Sequence, residues 1–126
     1  MILGIGTDLA VIERVAQAVE RRGERFARRI LTDYELERFR THPQPVSYLA
    51  KRFAAKEAAA KAIGTGIGKI SWQDLEIRSA ESGAPQLVLL GAAAERYQNY
   101  PQLVCHLSIS DDGGLAQAFV VLEARG

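Results

Sequence analysis

The stretch Ala50-Lys51-Arg52-Phe53-Ala54-Ala55-Lys56-Glu57-Ala58-Ala59-Ala60-Lys61-Ala62-Ile63-Gly64-Thr65-Gly66 decides how this chain folds. Seven of the thirteen residues from Ala50 to Ala62 are alanine. At about 100° per residue they fall on nearly every face of a helix. So small a side chain on all sides predicts a helix with close neighbours in several directions. A glutamate in the middle of such a helix needs explaining, because a buried carboxylate is costly unless it is paired or bound to a cation. Lys61, one turn beyond Glu57, projects from the same face and is one candidate partner. On a wet face that pair would contribute only about 0.2–0.5 kcal/mol. Gly64 is the expected helix stop, a left-handed cap that needs no side chain. Gly64, Gly66 and Gly68 put three glycines in five residues, more than one cap requires. Such a stretch can present backbone N–H groups to a phosphate. Its glycine spacing is not that of a Walker loop. Nor is it a dinucleotide fingerprint, because it closes a helix instead of opening one.

Outward from this helix, the chain reads as one strand, several helices and then mostly strands. Ile2 to Thr7 is a strand ending at Asp8. Val11, Val15, Ala18 and Val19 recur at helical spacing, which predicts a helix over 9–22 closed by Gly23. Asp8 is then placed to cap that helix. Phe26, Ile30 and Leu31 suggest a short second helix. Thr32-Asp33-Tyr34-Glu35 is a capping box opening a helix to about Arg40. His42-Pro43-Gln44-Pro45 breaks the chain before the long helix, 46–63. Strands are expected over 75–79 and 86–90 around the turn Ser82-Gly83-Ala84-Pro85, and a helix over 92–100. Two strands, 104–110 and 115–123, are joined by Asp111-Asp112-Gly113-Gly114, a strong hairpin signal. This order predicts an α+β fold, an antiparallel sheet packed against a long helix. A chain of 126 residues suits a single compact domain, 1–126.

Composition narrows the class without naming a function. The chain is 48% hydrophobic and 25% charged, with a formal net charge of +1. No apolar run approaches the length needed to span a membrane, and the opening residues do not read as a signal peptide. The single cysteine, Cys105, excludes an internal disulfide and fits a reducing, cytoplasmic setting. Charge is unevenly spread. Residues 1–61 hold 12 Lys/Arg against 8 Asp/Glu, and residues 62–126 hold 4 against 7. Arg21, Arg22, Arg25, Arg28 and Arg29 fall within nine residues, opposed only by Glu24. They form either a solvated helix face or a docking site for an acidic partner. The near-zero net charge argues against broad nucleic-acid binding.

Four stretches spread from end to end resemble one family. They are Gly4-Ile5-Gly6-Thr7-Asp8-Leu9; Arg52-Phe53-Ala54-Ala55-Lys56-Glu57-Ala58 through Lys61 to Gly64-Thr65-Gly66; Gly83-Ala84-Pro85; and His106-Leu107-Ser108-Ile109-Ser110. The chain resembles the holo-[acyl-carrier-protein] synthases, the small bacterial 4′-phosphopantetheinyl transferases. The resemblance covers essentially the whole length, and the first two motifs at this separation are its specific part. It implies the 4′-phosphopantetheinyl transferase fold and transfer of 4′-phosphopantetheine from coenzyme A to a serine of apo acyl carrier protein. Adenosine 3′,5′-bisphosphate is the other product, and fatty acid biosynthesis the setting. It also implies Mg²⁺ held by Asp8 and Glu57, with Lys61 beside it in a catalytic role. Coenzyme A would be contacted by Arg52, Lys61, Gly64, Thr65, Gly66, Gly83, Pro85, His106 and Ser108. Acyl carrier protein would be contacted by Arg14, Arg21, Arg22, Arg25 and Arg28. A homotrimer with active sites at subunit interfaces is implied as well. Ala84 stands where the family often has lysine, and Asp111 where a histidine often follows the Ser-x-Ser/Thr element. Two other function classes are compatible with parts of the sequence: a non-catalytic module binding an acidic protein through the arginine helix, and another Mg²⁺-dependent phosphotransfer or hydrolysis enzyme.

Overall fold

In the computed structural model, which describes residues 1–126, the first strand is longer than its hydrophobic pattern suggests. β1 spans Ile2–Val11. Leu9, Ala10 and Val11 continue the antiparallel ladder opposite Gln117, Ala116 and Leu115, so α1 begins only at Ile12 and runs to Arg22. The helix expected from residue 9 is thus corrected: its first three residues, Val11 of the spaced set among them, are held in the strand by pairing across the sheet. Asp8 is consequently a strand residue and caps nothing. The residue before α1 is Val11, which makes no side-chain cap.

The remaining helices are α2 (Glu24–Ile30), α3 (Asp33–Thr41), α4 (Pro45–Ile63) and α5 (Gly91–Glu95). Gly23 separates α1 from α2 at φ 63°, a backbone region that favours glycine. The capping box forms as read: Thr32 accepts from the Glu35 N–H, and Glu35 Oε1 accepts from the Thr32 N–H at 2.8 Å. α4 starts with Pro45 in its first turn and ends at Gly64, which adopts the left-handed cap at φ 94°. The helix expected over 92–100 is cut to one turn and a half. Beyond Glu95 the backbone tightens into three-residue turns, Gln98 N–H to Glu95 O and Tyr100 N–H to Tyr97 O. Pro101 disfavours helical geometry in the residue before it.

Strands β1, β5 (Leu115–Ala124) and β4 (Leu103–Asp112) form one antiparallel sheet in the order β1-β5-β4. β2 (Leu75–Ser79) and β3 (Pro85–Leu89) pair separately. The β4–β5 connection is the tight Gly113-Gly114 turn, both residues at positive φ, as a two-residue hairpin of this hand requires. α4 lies across one face of the three-stranded sheet. All seven alanines between Ala50 and Ala62 are buried, and so are Ala116, Ala118, Val120 and Leu122 of β5 on the sheet face under the helix. Gly4 and Gly6 show why small residues are needed. A Cβ on Gly4 would lie 1.9 Å from the Ala62 carbonyl oxygen, and one on Gly6 would lie 2.0 Å from that of Ala58.

The buried charge on α4 is not the one its sequence brings to mind. Lys56 is fully buried, whereas Glu57 is half-buried. The Lys56 ammonium donates to Glu35 Oε1 at 2.6 Å, to the Ile30 carbonyl at 2.6 Å and to the Trp72 carbonyl at 3.1 Å. Glu35 Oε2 accepts from the Ile77 N–H at 2.6 Å. Thr32 Oγ1 donates in turn to Glu76. One lysine therefore ties α4 to the end of α2, the start of α3 and the turn before β2. Burial pushes its ammonium below the ordinary lysine range, and the Glu35 carboxylate pulls it back. Removing one partner of such a pair typically costs about 3–5 kcal/mol, because the other is left buried and uncompensated.

The strand–helix contact makes a direct prediction. Gly6→Ala forces backbone apart from backbone, so urea titration should show a loss of about 1–3 kcal/mol or more. Gly113→Ala, at a turn with open space around it, should cost less.

Candidate active site

The close approach of β1 to α4 assembles the central group. Residues 4, 6, 8 and 10 of β1 share the face turned to α4, because strand side chains alternate. Gly4 and Gly6 admit the helix backbone, and Asp8, next in that series, meets the face of α4 that carries Glu57 and Lys61. The side chains are accessible to different degrees: Asp8 is 17% exposed and Lys61 52%.

Their pairing differs from the expected one. Lys61 does not pair with Glu57. Its ammonium donates to Asp8 Oδ1 at 3.1 Å and to the Thr7 carbonyl at 3.0 Å. Asp8 comes from β1 and not from α4, but stands closer to the lysine than the neighbour one turn away. Glu57 is left without a side-chain hydrogen bond or ion pair. Burial pushes its carboxyl above the ordinary range, the Asp8 carboxylate pushes it further, and Lys61 opposes both. Asp8 and Glu57 thus lie near enough for the charge of one to raise the other, Lys61 pairs with Asp8 alone, and Glu57 is left uncompensated. That donor set fits a hard divalent ion such as Mg²⁺, which accepts a few protein oxygens and completes its shell with water and phosphate. No group of three or more Asp, Glu, His or Cys side chains gathers anywhere in the chain. An open hollow of about 420 Å³ lies here, lined by Thr7, Asp8, Leu9, Lys61 and Gln117. Gln117 escaped the sequence reading. It becomes a neighbour only through the β1–β5 register, where it lies opposite Leu9 and donates to Thr7 Oγ1.

The glycine loop offers less than its composition suggested. The N–H groups of Gly64 and Gly66 both donate to the Ala60 carbonyl, at 3.0 and 3.2 Å, and so finish the helix. The amides of Thr65 and Ile67 have no protein acceptor and are what the loop can present to an anion. Arg52, one turn before Lys56, stacks its guanidinium over the Tyr48 ring at 4.0 Å. Its Nε and the Tyr48 hydroxyl are buried with no hydrogen-bond partner.

The other expected nucleotide contacts lie elsewhere in the chain. His106 and Ser108 project from β4 on the sheet face opposite α4, in register with Val121 and Phe119. His106 Nε2 is 2.9 Å from Glu123 Oε1, which also accepts from Arg125. Gly83 and Pro85 sit at the exposed β2–β3 turn, on the smaller sheet. None of these four residues lines the hollow beside Asp8. Ala84 is exposed at the same turn, and Asp111 lies 3.5 Å from Lys51 of α4 in an ion pair. The sheet face bearing His106 also carries Ile5 (62% exposed), Leu9 (63%) and Phe119 (42%).

The arginine cluster divides in two. Arg28 and Arg40 are both paired with Glu24 and belong to the side of α2 facing α3. Arg21, Arg22, Arg25 and Arg29 have no acidic partner and surround Phe26 in a hollow of about 370 Å³. Arg28, expected in the docking set, therefore faces away from this group, and Arg29 joins it. Arg14 lies nearer Asp8, where it borders an apolar hollow with Leu9, Val15, Phe26 and Phe53.

Comparison with known proteins shows the family. The profile of the 4'-phosphopantetheinyl transferase superfamily matches residues 4–117. The chain belongs to that superfamily. The holo-[acyl-carrier-protein] synthase of Vibrio cholerae is 53% identical over 126 residues, covering 99% of this chain and 100% of the relative. The crystal structure of the synthase from Neisseria meningitidis superposes with a TM-score of 0.87 at 43% identity, over 98% of this chain and 99% of that one. The synthase from Bacillus anthracis, solved in complex with CoA (3',5'-ADP), gives a TM-score of 0.83 at 37% identity, covering 99% of both chains.

The raised Glu57 carboxyl predicts a pH dependence. Between the ordinary carboxylate value and the raised one, the folded chain keeps a proton that the unfolded chain has lost. The stability this group contributes is full below the ordinary range and lost as pH rises through the raised value. In a chelator-containing buffer, the thermal midpoint should fall across that window, and Glu57→Gln should flatten the fall.

Proposed function

We propose that this chain is a holo-[acyl-carrier-protein] synthase: it transfers 4′-phosphopantetheine from coenzyme A to a serine hydroxyl of apo acyl carrier protein. The single observation that carries the reading is the joining of Asp8, Glu57 and Lys61 by β1 and α4 in a chain of this superfamily. In the reaction, the serine oxygen forms a bond to the phosphorus bearing the pantetheine arm. The bond from that phosphorus to the bridging oxygen breaks, and adenosine 3′,5′-bisphosphate leaves with the electron pair. The serine proton departs toward the carboxylates of the site or water held by them.

Each residue has a definite task in this reading. Asp8 and Glu57 hold Mg²⁺, whose chemistry when bound is to offset negative charge on the diphosphate oxygens. Lys61 supplies a mobile cation for the same oxygens. The Thr65 and Ile67 amides, with Gly64 and Gly66 holding the loop in shape, orient a phosphate. Arg52 and Tyr48, with their unsatisfied buried polar atoms, stand on the same helix. Incubation with coenzyme A, Mg²⁺ and apo acyl carrier protein should add one phosphopantetheine to the carrier, read by intact mass. Asp8→Asn and Glu57→Gln should each lower turnover by about two orders of magnitude or more. Near-normal turnover of either variant at limiting Mg²⁺ would remove the metal assignment.

His106, Ser108, Gly83 and Pro85 complete a nucleotide site only if another copy supplies them. The apolar sheet face around Ile5, Leu9 and Phe119 supports a homotrimer whose active sites lie between subunits. A mixture of inactive Glu57→Gln and inactive His106→Ala chains should then recover part of the activity through hybrid sites. A mixture as inactive as its components, or an active monomer in sedimentation, would rule the arrangement out.

The unpaired arginines Arg21, Arg22, Arg25 and Arg29, with Arg14 nearer Asp8, form the docking face for the acidic carrier protein. Arg28, held by Glu24 on the side of α2 facing α3, stands outside this face. Charged docking faces act mainly on association, and screening weakens them over about 8 Å at physiological salt. Arg21→Glu combined with Arg25→Glu should raise KM for carrier protein and flatten its salt dependence, with KM for coenzyme A little changed. In this reading the holo carrier protein it makes serves fatty acid biosynthesis. No helix is long and apolar enough to cross a membrane.

A further inference from the structure

Lys61 spends its charge on the residue proposed to hold the metal. Its ammonium touches Asp8 Oδ1 at 3.1 Å and the Thr7 carbonyl at 3.0 Å, and it makes no contact with Glu57. Asp8 is mostly buried, so this single donor is its main counter-charge, while the half-exposed Lys61 stem leaves the amine room to move. The other charged groups nearby are few. Glu57 faces the pair from α4, and no arginine forms an ion pair with Asp8 or Glu57. The hollow beside Asp8 and Lys61 opens to solvent, so an ion can enter without rearrangement of the backbone.

We infer that Lys61 is a built-in placeholder cation: in the metal-free protein it neutralises Asp8, and a divalent ion entering the site displaces it toward the diphosphate of coenzyme A. The inference rests on the metal reading above and adds to it a competition within the free enzyme. Two consequences follow from charge alone. Metal and lysine compete for the same carboxylate oxygen, so the lysine weakens metal binding in the absence of nucleotide. The released amine gains an anionic partner only when coenzyme A is present, so nucleotide removes the competitor and favours metal. Thermodynamic linkage makes that coupling mutual.

Binding of Mn²⁺, followed by the electron paramagnetic resonance of the free ion, tests this without turnover. In the absence of coenzyme A, Lys61→Met should bind Mn²⁺ about two- to five-fold more tightly than wild type, the scale of a partly exposed ion pair. The gain should persist in about 0.5 M KCl, where long-range attraction is screened but a direct contact is not. Lys61→Arg, which keeps a cation on Asp8, should show no such gain. In wild type, Mn²⁺ should also speed acetylation of Lys61 relative to Lys69, read by peptide mass. If Mn²⁺ binds wild type and is lost in Glu57→Gln, but Lys61→Met binds it no more tightly, the placeholder idea falls and the metal reading stands. If neither wild type nor Lys61→Met binds Mn²⁺ with or without coenzyme A, both fall together.

Discussion

A methyl group on Gly6 would lie 2.0 Å from the Ala58 carbonyl oxygen, and one on Gly4 would lie 1.9 Å from that of Ala62. β1 and α4 therefore meet backbone to backbone, closer than side chains normally allow. The contact needs hydrogen in place of Cβ on the strand and little more than methyl groups on the helix. It also fixes the register between them. With Gly4 and Gly6 seated on Ala62 and Ala58, the next residue on that face of the strand is Asp8, and the polar residues flanking Ala58 and Ala62 are Glu57 and Lys61. The same constraint that forms the core delivers three charged groups to one place. A larger residue at position 6 would move Asp8 relative to α4 as well as loosen the fold.

α4 is held on its other sides by charge. Lys56 reaches away from the sheet into a socket made by Glu35, the Ile30 carbonyl and the Trp72 carbonyl. All three donor positions of its ammonium are met, which is what permits an ion so deep in the protein. Because Ile30 ends α2, the socket joins the arginine-bearing segment to the helix that carries Glu57. Phe53, stacked on Trp72 at 5.3 Å, packs beside the same joint. Neighbouring residues of one helix thus do opposite work: Lys56 is saturated and buried, while Glu57 is unpartnered and reachable.

The three-stranded sheet has two unlike faces. The inner one carries Gly4, Gly6 and Asp8 of β1 and Ala116, Ala118, Val120 and Leu122 of β5 under α4. The outer one mixes exposed Ile5, Leu9 and Phe119 with His106 and Ser108. Strand side chains alternate, so His106 and Ser108 lie on the face opposite Asp8, and neither lines its hollow within the same chain. That separation is a geometric reason for looking to a second subunit to complete the site.

Several features were legible in the sequence because they depend on neighbours a few residues apart. The capping box at Thr32 and Glu35, the Gly64 stop, the Gly113-Gly114 hairpin and the alanine helix all follow from local backbone chemistry. The α+β class followed from their order, and the motifs around Asp8 and Glu57 marked the family. What sequence could not decide were the choices among competing partners distant along the chain. Val11 recurs at helical spacing with Val15, Ala18 and Val19, yet the ladder with β5 keeps Leu9, Ala10 and Val11 extended. Lys61 has Glu57 one turn away, yet donates to Asp8, 53 positions distant. Lys56 and Glu57 are adjacent charged residues on one helix, and only the socket of acceptor oxygens made by α2, α3 and the Trp72 turn selects the lysine for burial. Local geometry sets which elements form. Which charge is buried, which is paired and which is left for a ligand depends on where those elements come to rest against one another, because desolvation and Coulomb terms act through space and not along the chain.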